Sequence, residues 1–420
     1  MRKNEYGREA DLAQKYVVSK YNKVIEKNGI VILCHEIFGN TIRISLECWD
    51  VIRQYVNENT PRDICDMVHN EDREYFEQLF INMIQKKFLV KRGTKEELDG
   101  LRSIDVSITN CCNLSCVHCC VDASSKQYDS YIPKEKLYEI IDVCEKLDVK
   151  LLTISGGEPM MHPDFFEIIK YIKMNYNGSR ALMTNGMLIN ENNVDYLVDV
   201  FNTFDISIDG YNEESCSKIR GKGVFDKVIK NVHLLIERGV IASDISLSMV
   251  ETKLNYDYTG EFFKLNEMLG TNPLVREFSS IGRGKINKEK LELEFIDDWS
   301  NIDLNQPLVS RTCSAGKKKL TIDYDGNIYP CMLLNYNDFV LGNIFEINDL
   351  YEYIKNRRYE KLVGFKNLLQ LFPENRNGCC KCEYQMFCFY CLAEMYEYIK
   401  SNRLEKICND IRRGGTILWQ

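Results

Sequence analysis

The sequence has no run of about eighteen apolar residues, the least that crosses a bilayer as a helix. Its opening, MRKNEYGREADLAQKY, lacks the apolar stretch of a secretory signal, so the chain is expected in the cytoplasm and off the membrane. Positive charge is not in excess: 54 Lys and Arg stand against 62 Asp and Glu, for a net charge of −8. That balance offers nucleic acid no basic face. No repeat of fixed period and no low-complexity linker is present, which excludes repeat architectures.

What is present is a globular composition, 45% hydrophobic and 28% charged, on 420 residues. That length allows two or three domains, each with its own core. The 18 cysteines are many for a reducing compartment, where disulfides are rare and clustered thiols signal metal or redox chemistry. Five fall between Cys111 and Cys120, and five between Cys379 and Cys391. The lone Cys34, Cys48, Cys65, Cys144 and Cys216 read as small buried hydrophobes.

Hydrophobic periodicity divides the chain in three. Residues 20–95 predict a hairpin, Gly29–His35 and Thr41–Leu46 around the Phe38-Gly39-Asn40 turn, and then three helices. These are Glu47–Asn57, one opening at Thr60-Pro61-Arg62-Asp63, and Asp72–Gln85. Phe88–Val90 reads as a returning strand. Residues 102–304 alternate apolar strands with amphipathic stretches. The strands are Ile104–Ile108, Leu151–Ser155, Ala181–Thr184, Phe204–Ile208, Ile245–Val250 and Leu274–Phe278. Helices are expected at Lys134–Leu147, Phe165–Met174, Phe225–Arg238 and Tyr256–Leu269. The fold class is α/β, a parallel sheet that is doubly wound or an incomplete six-unit barrel. Residues 305–412 are cysteine-rich with short elements.

Cys112-Asn-Leu-Ser-Cys116-Val-His-Cys119 follows the first strand of the alternating segment. Three cysteines in one short loop can hold three corners of a [4Fe–4S] cube and leave one iron open. Zinc is the competing reading, with His118 as a fourth ligand. The block resembles the signature of the radical S-adenosylmethionine superfamily, and the rest follows from that resemblance. The open iron would bind S-adenosylmethionine, whose reductive cleavage yields a 5′-deoxyadenosyl radical that takes a substrate hydrogen. Gly156-Gly157-Glu158-Pro159 looks like the family's cofactor-amine motif. Thr184-Asn185-Gly186 and Ser207-Ile208-Asp209-Gly210 match its strand-end positions, with Ser207 a ribose contact and Asp209 assigned to the cofactor or to proton transfer. Arg220-Gly221-Lys222-Gly223-Val224-Phe225 resembles its RGxGxF stretch, whose arginine meets the cofactor carboxylate. Cys111 and Cys120 are spectators.

The C-terminal cysteines resemble the SPASM pattern, which implies two auxiliary [4Fe–4S] clusters and three in all. Cys313, Cys331 and Cys391 would ligate the first, and Cys379, Cys382, Cys388 and Cys408 the second. Only Phe389 and Tyr390 separate Cys388 from Cys391, where the family has three residues, so Cys380 stays open as a substitute. With three ligands, the first auxiliary cluster is expected to offer its fourth iron to a substrate thiolate.

The N-terminal segment describes a small winged helix. Glu71, Asp72, Glu74 and Glu77 give its third helix an acidic face that repels phosphate. It resembles instead the peptide-recognition element of ribosomal-peptide maturases. The resemblance implies a leader peptide adding a strand along Thr41–Leu46, with main-chain hydrogen bonds supplying affinity. The expected protein is thus a sactipeptide-type maturase forming a thioether, with a flavodoxin or ferredoxin as one-electron donor. A carbon–carbon cross-linker and an anaerobic sulfatase maturase are the alternatives. The latter family has an aspartate where Met332 stands here. A peptide- or DNA-holding iron–sulfur protein without catalysis is the other class, and no catalytic base can be named.

Overall fold

The run Ile30-Val-Ile-Leu-Cys-His35 shows no alternation because its strand is covered on both faces. In the computed structural model, which describes residues 10–94, 96, 100–293, 313–387 and 391–415, it is the middle of a three-stranded antiparallel sheet. After β1 (Tyr16–Val18), the sheet comprises β2 (Asn22–Lys27), β3 (Ile30–His35) and β4 (Thr41–Ser45), in that spatial order. β4 is therefore an edge strand. Val31 and Leu33 face α1 (Leu46–Tyr55), α2 (Pro61–Met67) and α3 (Arg73–Gln85) in one core. α2 opens with the expected capping box: Thr60 Oγ1 accepts from Asp63 N at 3.2 Å, and Asp63 Oδ2 accepts from Thr60 N at 2.9 Å. β5 (Leu89–Lys91) returns to pair antiparallel with β1. The sequence reading omits β1 and β2. β2 reads Asn-Lys-Val-Ile-Glu-Lys, too polar to stand out, and the partner of β1 lies far along the chain.

The middle segment winds as expected, with every neighbouring strand parallel. Its elements are β6 (Ser103–Ser107), α4 (Lys134–Lys146), β7 (Leu151–Ser155), α5 (Phe165–Asn175), β8 (Ser179–Thr184) and α6 (Val194–Val200). Then come β9 (Thr203–Ser207), α7 (Glu213–Arg220), α8 (Val224–Glu237), β10 (Ile245–Glu251), α9 (Thr259–Leu269) and β11 (Asn272–Glu277). The helices α6 and α7 were not foreseen. α7 is polar enough to pass for loop, and the capping box of Asn212 with Ser215 starts it.

The sheet does not end with these strands. Its order is β11-β10-β9-β8-β7-β6-β12-β13. β12 (Lys319–Ile322) comes from the cysteine-rich segment and lies parallel to β6, with β13 (Ile328–Tyr329) antiparallel outside it. Leu320 and Ile322 join Ile104 and Val106 in the apolar layer under the helices. On the opposite face Lys319 Nζ meets the buried Asp105 carboxylate at 2.5 Å. The partial barrel thus borrows a strand from the next domain, and the boundary at 304/305 falls outside the described residues. Beyond β11 follow α10 (Gly282–Ile286) and α11 (Lys288–Leu291). Beyond β13 lie α12 (Leu350–Lys355), α13 (Val363–Leu371), α14 (Leu392–Lys400) and α15 (Leu404–Gly414). No helix among the described residues is long and apolar enough to cross a membrane.

Replacing Lys319 by Met leaves the Asp105 carboxylate buried without its cation. The expected cost is about 1–3 kcal/mol, read as a lower midpoint of urea unfolding by circular dichroism.

Candidate active site

The chain leaves β6 at Ser107 and enters the loop that carries Cys112, Cys116 and Cys119. Cys112 and Cys116 are buried and Cys119 is half-buried. The N–H of Leu114 points at Cys112 Sγ (3.4 Å), that of Ala123 at Cys119 Sγ (3.4 Å), and Arg220 Nη1 lies 3.8 Å from Cys116 Sγ. Donors aimed at three neighbouring sulfurs suit thiolates, because hydrogen bonds to a charged form favour it. Burial opposes that form, pushing the Cys112 thiol up to about 12 and the Cys116 thiol up as well, so the thiolates need a bound cationic centre. A cube of iron and sulfide fits this donor set. No three His, Cys, Asp or Glu side chains among the described residues converge on a single ion. His118, the zinc alternative's fourth ligand, turns elsewhere: its Nε2 lies 2.8 Å from Asp209 Oδ2.

Gly156 and Gly157 follow β7. Their missing side chains serve a close approach of the chain to itself. A Cβ on Gly156 would stand 2.5 Å from Thr109 O, and one on Gly157 would stand 2.6 Å from Cys111 O. The two segments are stitched by Gly157 N to Thr109 O (2.7 Å) and Glu158 N to Cys111 O (2.9 Å). Glu158 follows, wholly buried, with Pro159 starting a short 3₁₀ turn. Its carboxylate accepts from Thr184 Oγ1 (2.8 Å) and Asn185 N (2.8 Å) at the end of β8. Asn185 Nδ2 reaches Asn113 Oδ1 (2.8 Å) and lies 3.7 Å from Cys112 Sγ. Burial pushes the Glu158 carboxyl up to about 7. A carboxyl held by neutral donors beside the cysteine loop, with no cation bonded to it, fits an ammonium group such as that of S-adenosylmethionine.

Past β9, Ser207 Oγ accepts from Ser248 Oγ at 3.3 Å, and Asp209 takes a left-handed backbone with φ 56°. The sequence reading gave Asp209 to the cofactor or to proton transfer; the structure gives its carboxylate to the chain. Oδ2 lies 2.6 Å from Arg220 Nε and 2.8 Å from His118 Nε2, while Oδ1 accepts from Val250 N at 2.6 Å. Burial alone would push this carboxyl up, but the Arg220 guanidinium and His118 hold it well below the usual carboxylate range. Arg220 ends α7, and the glycines after it, φ 102° and 75°, make the tight turn into α8.

The sequence reading missed the segment that closes over the loop. Gly282 packs so near that a Cβ would meet Cys120 O at 2.5 Å. Arg283 donates to Cys116 O (2.9 Å) and Ala123 O (2.6 Å), and Asn287 to Val117 O (3.0 Å). The one signal was Gly282-Arg283-Gly284 directly after the last strand of the segment. Burial pushes the Cys120 thiol up to about 12.

The C-terminal cysteines gather in two places. Cys331 lies beside Cys313, and Cys391 beside Cys331, each close enough that their charges interact. Backbone N–H groups point at all three sulfurs: Ala315 and Leu392 at Cys313, Leu333 and Leu334 at Cys331, Ala393 and Glu394 at Cys391. Burial pushes Cys331 up to about 11 and Cys391 to about 12, so this trio also requires a cationic centre. Cys408, on α15, is close to Cys379 and Cys382, with Arg376 and Arg412 nearby. Cys388 lies outside the described residues. Cys380 is exposed, and the charged group it lies near is Lys23.

A cavity of about 190 Å³ opens between the ends of β10 and β11 and α14. Its lining includes Glu251, Glu277, Leu333, Tyr336, Ala393 and Glu397, so it reaches toward Cys331 and Cys391.

Residues 106–275 match the model of the radical SAM superfamily, and residues 313–383 match that of the SPASM iron–sulfur cluster-binding domain. Mycofactocin maturase MftC of Mycolicibacterium smegmatis is 27% identical over 322 residues, covering 68% of this chain and 76% of that protein. A probable GTP 3′,8-cyclase of Methanocaldococcus jannaschii is 28% identical over 259 residues, covering 56% and 87%. Among solved structures, Streptococcus suis SuiB bound to S-adenosylmethionine superposes with a TM-score of 0.53 at 16% identity, covering 88% of this chain and 94% of that one. SuiB bound to the precursor peptide SuiA gives 0.53 at 16%, covering 89% and 94%.

Two substitutions test this geometry. Gly157→Ala places a methyl against Cys111 O and is expected to remove about four irons from the reconstituted protein by displacing the loop, measured by iron and sulfide assay. Asp209→Asn strands a buried guanidinium and is expected to cost about 3–5 kcal/mol in urea unfolding.

Proposed function

We propose that this radical S-adenosylmethionine enzyme, whose barrel is followed by a SPASM domain, modifies a ribosomally made precursor peptide. The observation that carries the chemistry is the buried Cys112–Cys119 loop facing Glu158 at the mouth of the barrel. Cys112, Cys116 and Cys119 would hold a [4Fe–4S] cluster, and S-adenosylmethionine would be held at its open iron. Bound together, they supply a carbon-centred radical able to remove a hydrogen atom from an unactivated carbon.

The chain's own residues prepare that site. Glu158, with Thr184 and Asn185 fixing its rotamer, would take the cofactor's ammonium group. Ser207 stands at a strand end where a ribose hydroxyl can reach it. Arg220 keeps one guanidinium edge on Asp209 and another toward Cys116, and its charge would also draw the cofactor carboxylate. The cover made by α10 and Asn287 shields the loop from water, which a radical reaction needs to avoid quenching.

The peptide substrate is supported from two sides. A protein named as a maturase aligns with two thirds of the chain, whereas the cyclase match covers little more than half. The N-terminal domain also presents β4 as an edge strand, a surface on which an extended leader peptide adds by main-chain hydrogen bonds. The core peptide would then enter the cavity between β10, β11 and α14, beside the Cys313, Cys331 and Cys391 trio. We assign these three to a first auxiliary [4Fe–4S] cluster, and Cys379, Cys382, Cys388 and Cys408 to a second. Closure of a cysteine sulfur onto a carbon, with the auxiliary clusters passing an electron on to an acceptor, is the reaction that best uses a three-cysteine site. Exposed Cys380 does not complete that trio. A flavodoxin or ferredoxin would deliver the electron that starts turnover.

Reduced protein with S-adenosylmethionine is expected to release 5′-deoxyadenosine, and Cys116→Ala to release none; absence of the nucleoside from the parent protein overturns the enzyme reading. A precursor peptide, sought among short reading frames beside this gene, is expected to slow amide exchange in residues 41–45 by at least about tenfold. It is also expected to lose two hydrogens and one alkylatable thiol per turnover in the mass spectrum. Loss of two hydrogens with every thiol retained would assign a carbon–carbon bond instead.

A further inference from the structure

One apolar cluster joins the two ends of the chain. Ile32 and Cys34, on the face of β3 turned away from its own helices, pack with Tyr384, Met386, Phe387 and Ile411, and Cys382 borders the cluster. Lys27 Nζ makes an ion pair with Glu383 at 2.7 Å and lies 5.8 Å from the centre of the Tyr384 ring. The Tyr384–Phe387 stretch sits between Cys382 and Cys388, and Ile411 lies one helical turn beyond Cys408. Every one of these neighbours is therefore attached to a cysteine assigned above to the second auxiliary site. Cys34 itself is a wall residue: burial among apolar side chains pushes its thiol up to about 12.

We infer that the N-terminal sheet is a structural part of the second auxiliary site, so that filling this site and seating the peptide-recognition domain are coupled. The inference rests on the reading of Cys379, Cys382, Cys388 and Cys408 as ligands. Residues 379–387 form turns with no strand or helix to hold them. Two things can hold such a segment: covalent attachment to a centre that also binds Cys408, and packing against β3. An occupied site offers β3 one arrangement of Tyr384, Met386 and Phe387, while an empty one offers many, so the wall gains less from contact with it. Linkage makes the effect reciprocal: whatever loosens β3 from the turns must weaken retention of the centre by the same factor. The edge strand β4 is hydrogen-bonded to β3, so the position of the leader-binding edge relative to the barrel passes through this contact.

The test uses the full chain, reconstituted anaerobically. Cys408→Ser lies outside the apolar wall and is expected to lose about four irons per chain. In the same protein, amide exchange across residues 30–35 is expected to rise by at least about tenfold, with residues 76–83 of α3 unchanged. In the other direction, Ile32→Asp is expected to lose about four irons while α3 keeps its protection. Should Ile32→Asp unfold the domain, Lys27→Glu, which belongs to neither core and removes the ion pair with Glu383 at the rim of this contact, decides the matter. Its second-site iron is expected to pass to a chelator at least about threefold faster, and an unchanged rate overturns the coupling. Loss of iron in Cys408→Ser without faster exchange at 30–35 also overturns the coupling but leaves the ligand reading standing. Full iron in Cys408→Ser overturns the ligand reading itself.

Discussion

A single buried carboxylate holds the active-site end of this barrel together. Asp209 is fully enclosed, and an ionised group there persists only if it is paired. Its three partners come from three different places: His118 from the cysteine loop, Arg220 from the end of α7 and the backbone N–H of Val250 from β10. Asp209 therefore fixes the loop to the strand ends, and through Arg220 it brings a positive charge near Cys116. The left-handed backbone at Asp209, which aspartate tolerates better than most residues, swings the carboxylate back over the sheet where these groups meet.

Around that centre the charges are arranged unequally. Asp209 has its cation, and Asp105 has Lys319. Glu158 is as buried as Asp209, and among the described residues its hydrogen bonds come from a threonine hydroxyl and backbone donors. Burial resists ionisation of its carboxyl and of the Cys112 and Cys116 thiols, and Arg220, whose charge reaches Glu158 and Cys116, is ion-paired with Asp209. A cluster with a sulfonium cofactor would supply positive charge there. The same logic extends to the Cys313, Cys331 and Cys391 trio, where backbone N–H groups are aimed at buried sulfurs.

The six central strands were legible as short apolar runs, as parallel strands covered on both faces tend to be, and the runs ending at Ser155, Thr184 and Ile208 are closed directly by Gly156, Asn185 and Asp209. The candidate cofactor residues Glu158, Thr184, Asn185, Ser207 and Asp209 were legible because they lie at or just past strand ends, where geometry confines chemistry to a few positions. β2 and α7 escaped notice because they are polar on their exposed sides and owe their existence to caps and pairing partners. β12 escaped because no local pattern announces that a strand of one domain will finish the sheet of another. Arg283 escaped because its role consists of hydrogen bonds to carbonyls of a loop more than a hundred and fifty residues earlier.

By itself the sequence determined the type of chemistry: three thiols at one spacing, a glutamate after two glycines and a second set of cysteines are covalent facts that folding cannot change. It also determined the three-part order of the chain, since hydrophobic period is local. Only the tertiary structure decided the tasks. It turned His118 away from the cysteines and onto Asp209, placed the Gly156-Gly157 pair against the chain's own backbone, and left Cys380 exposed. It also set β3 between two cores that lie at opposite ends of the chain. Those outcomes depend on which distant groups share a buried space, where a charge or an apolar face must find a partner, and no local spacing encodes that.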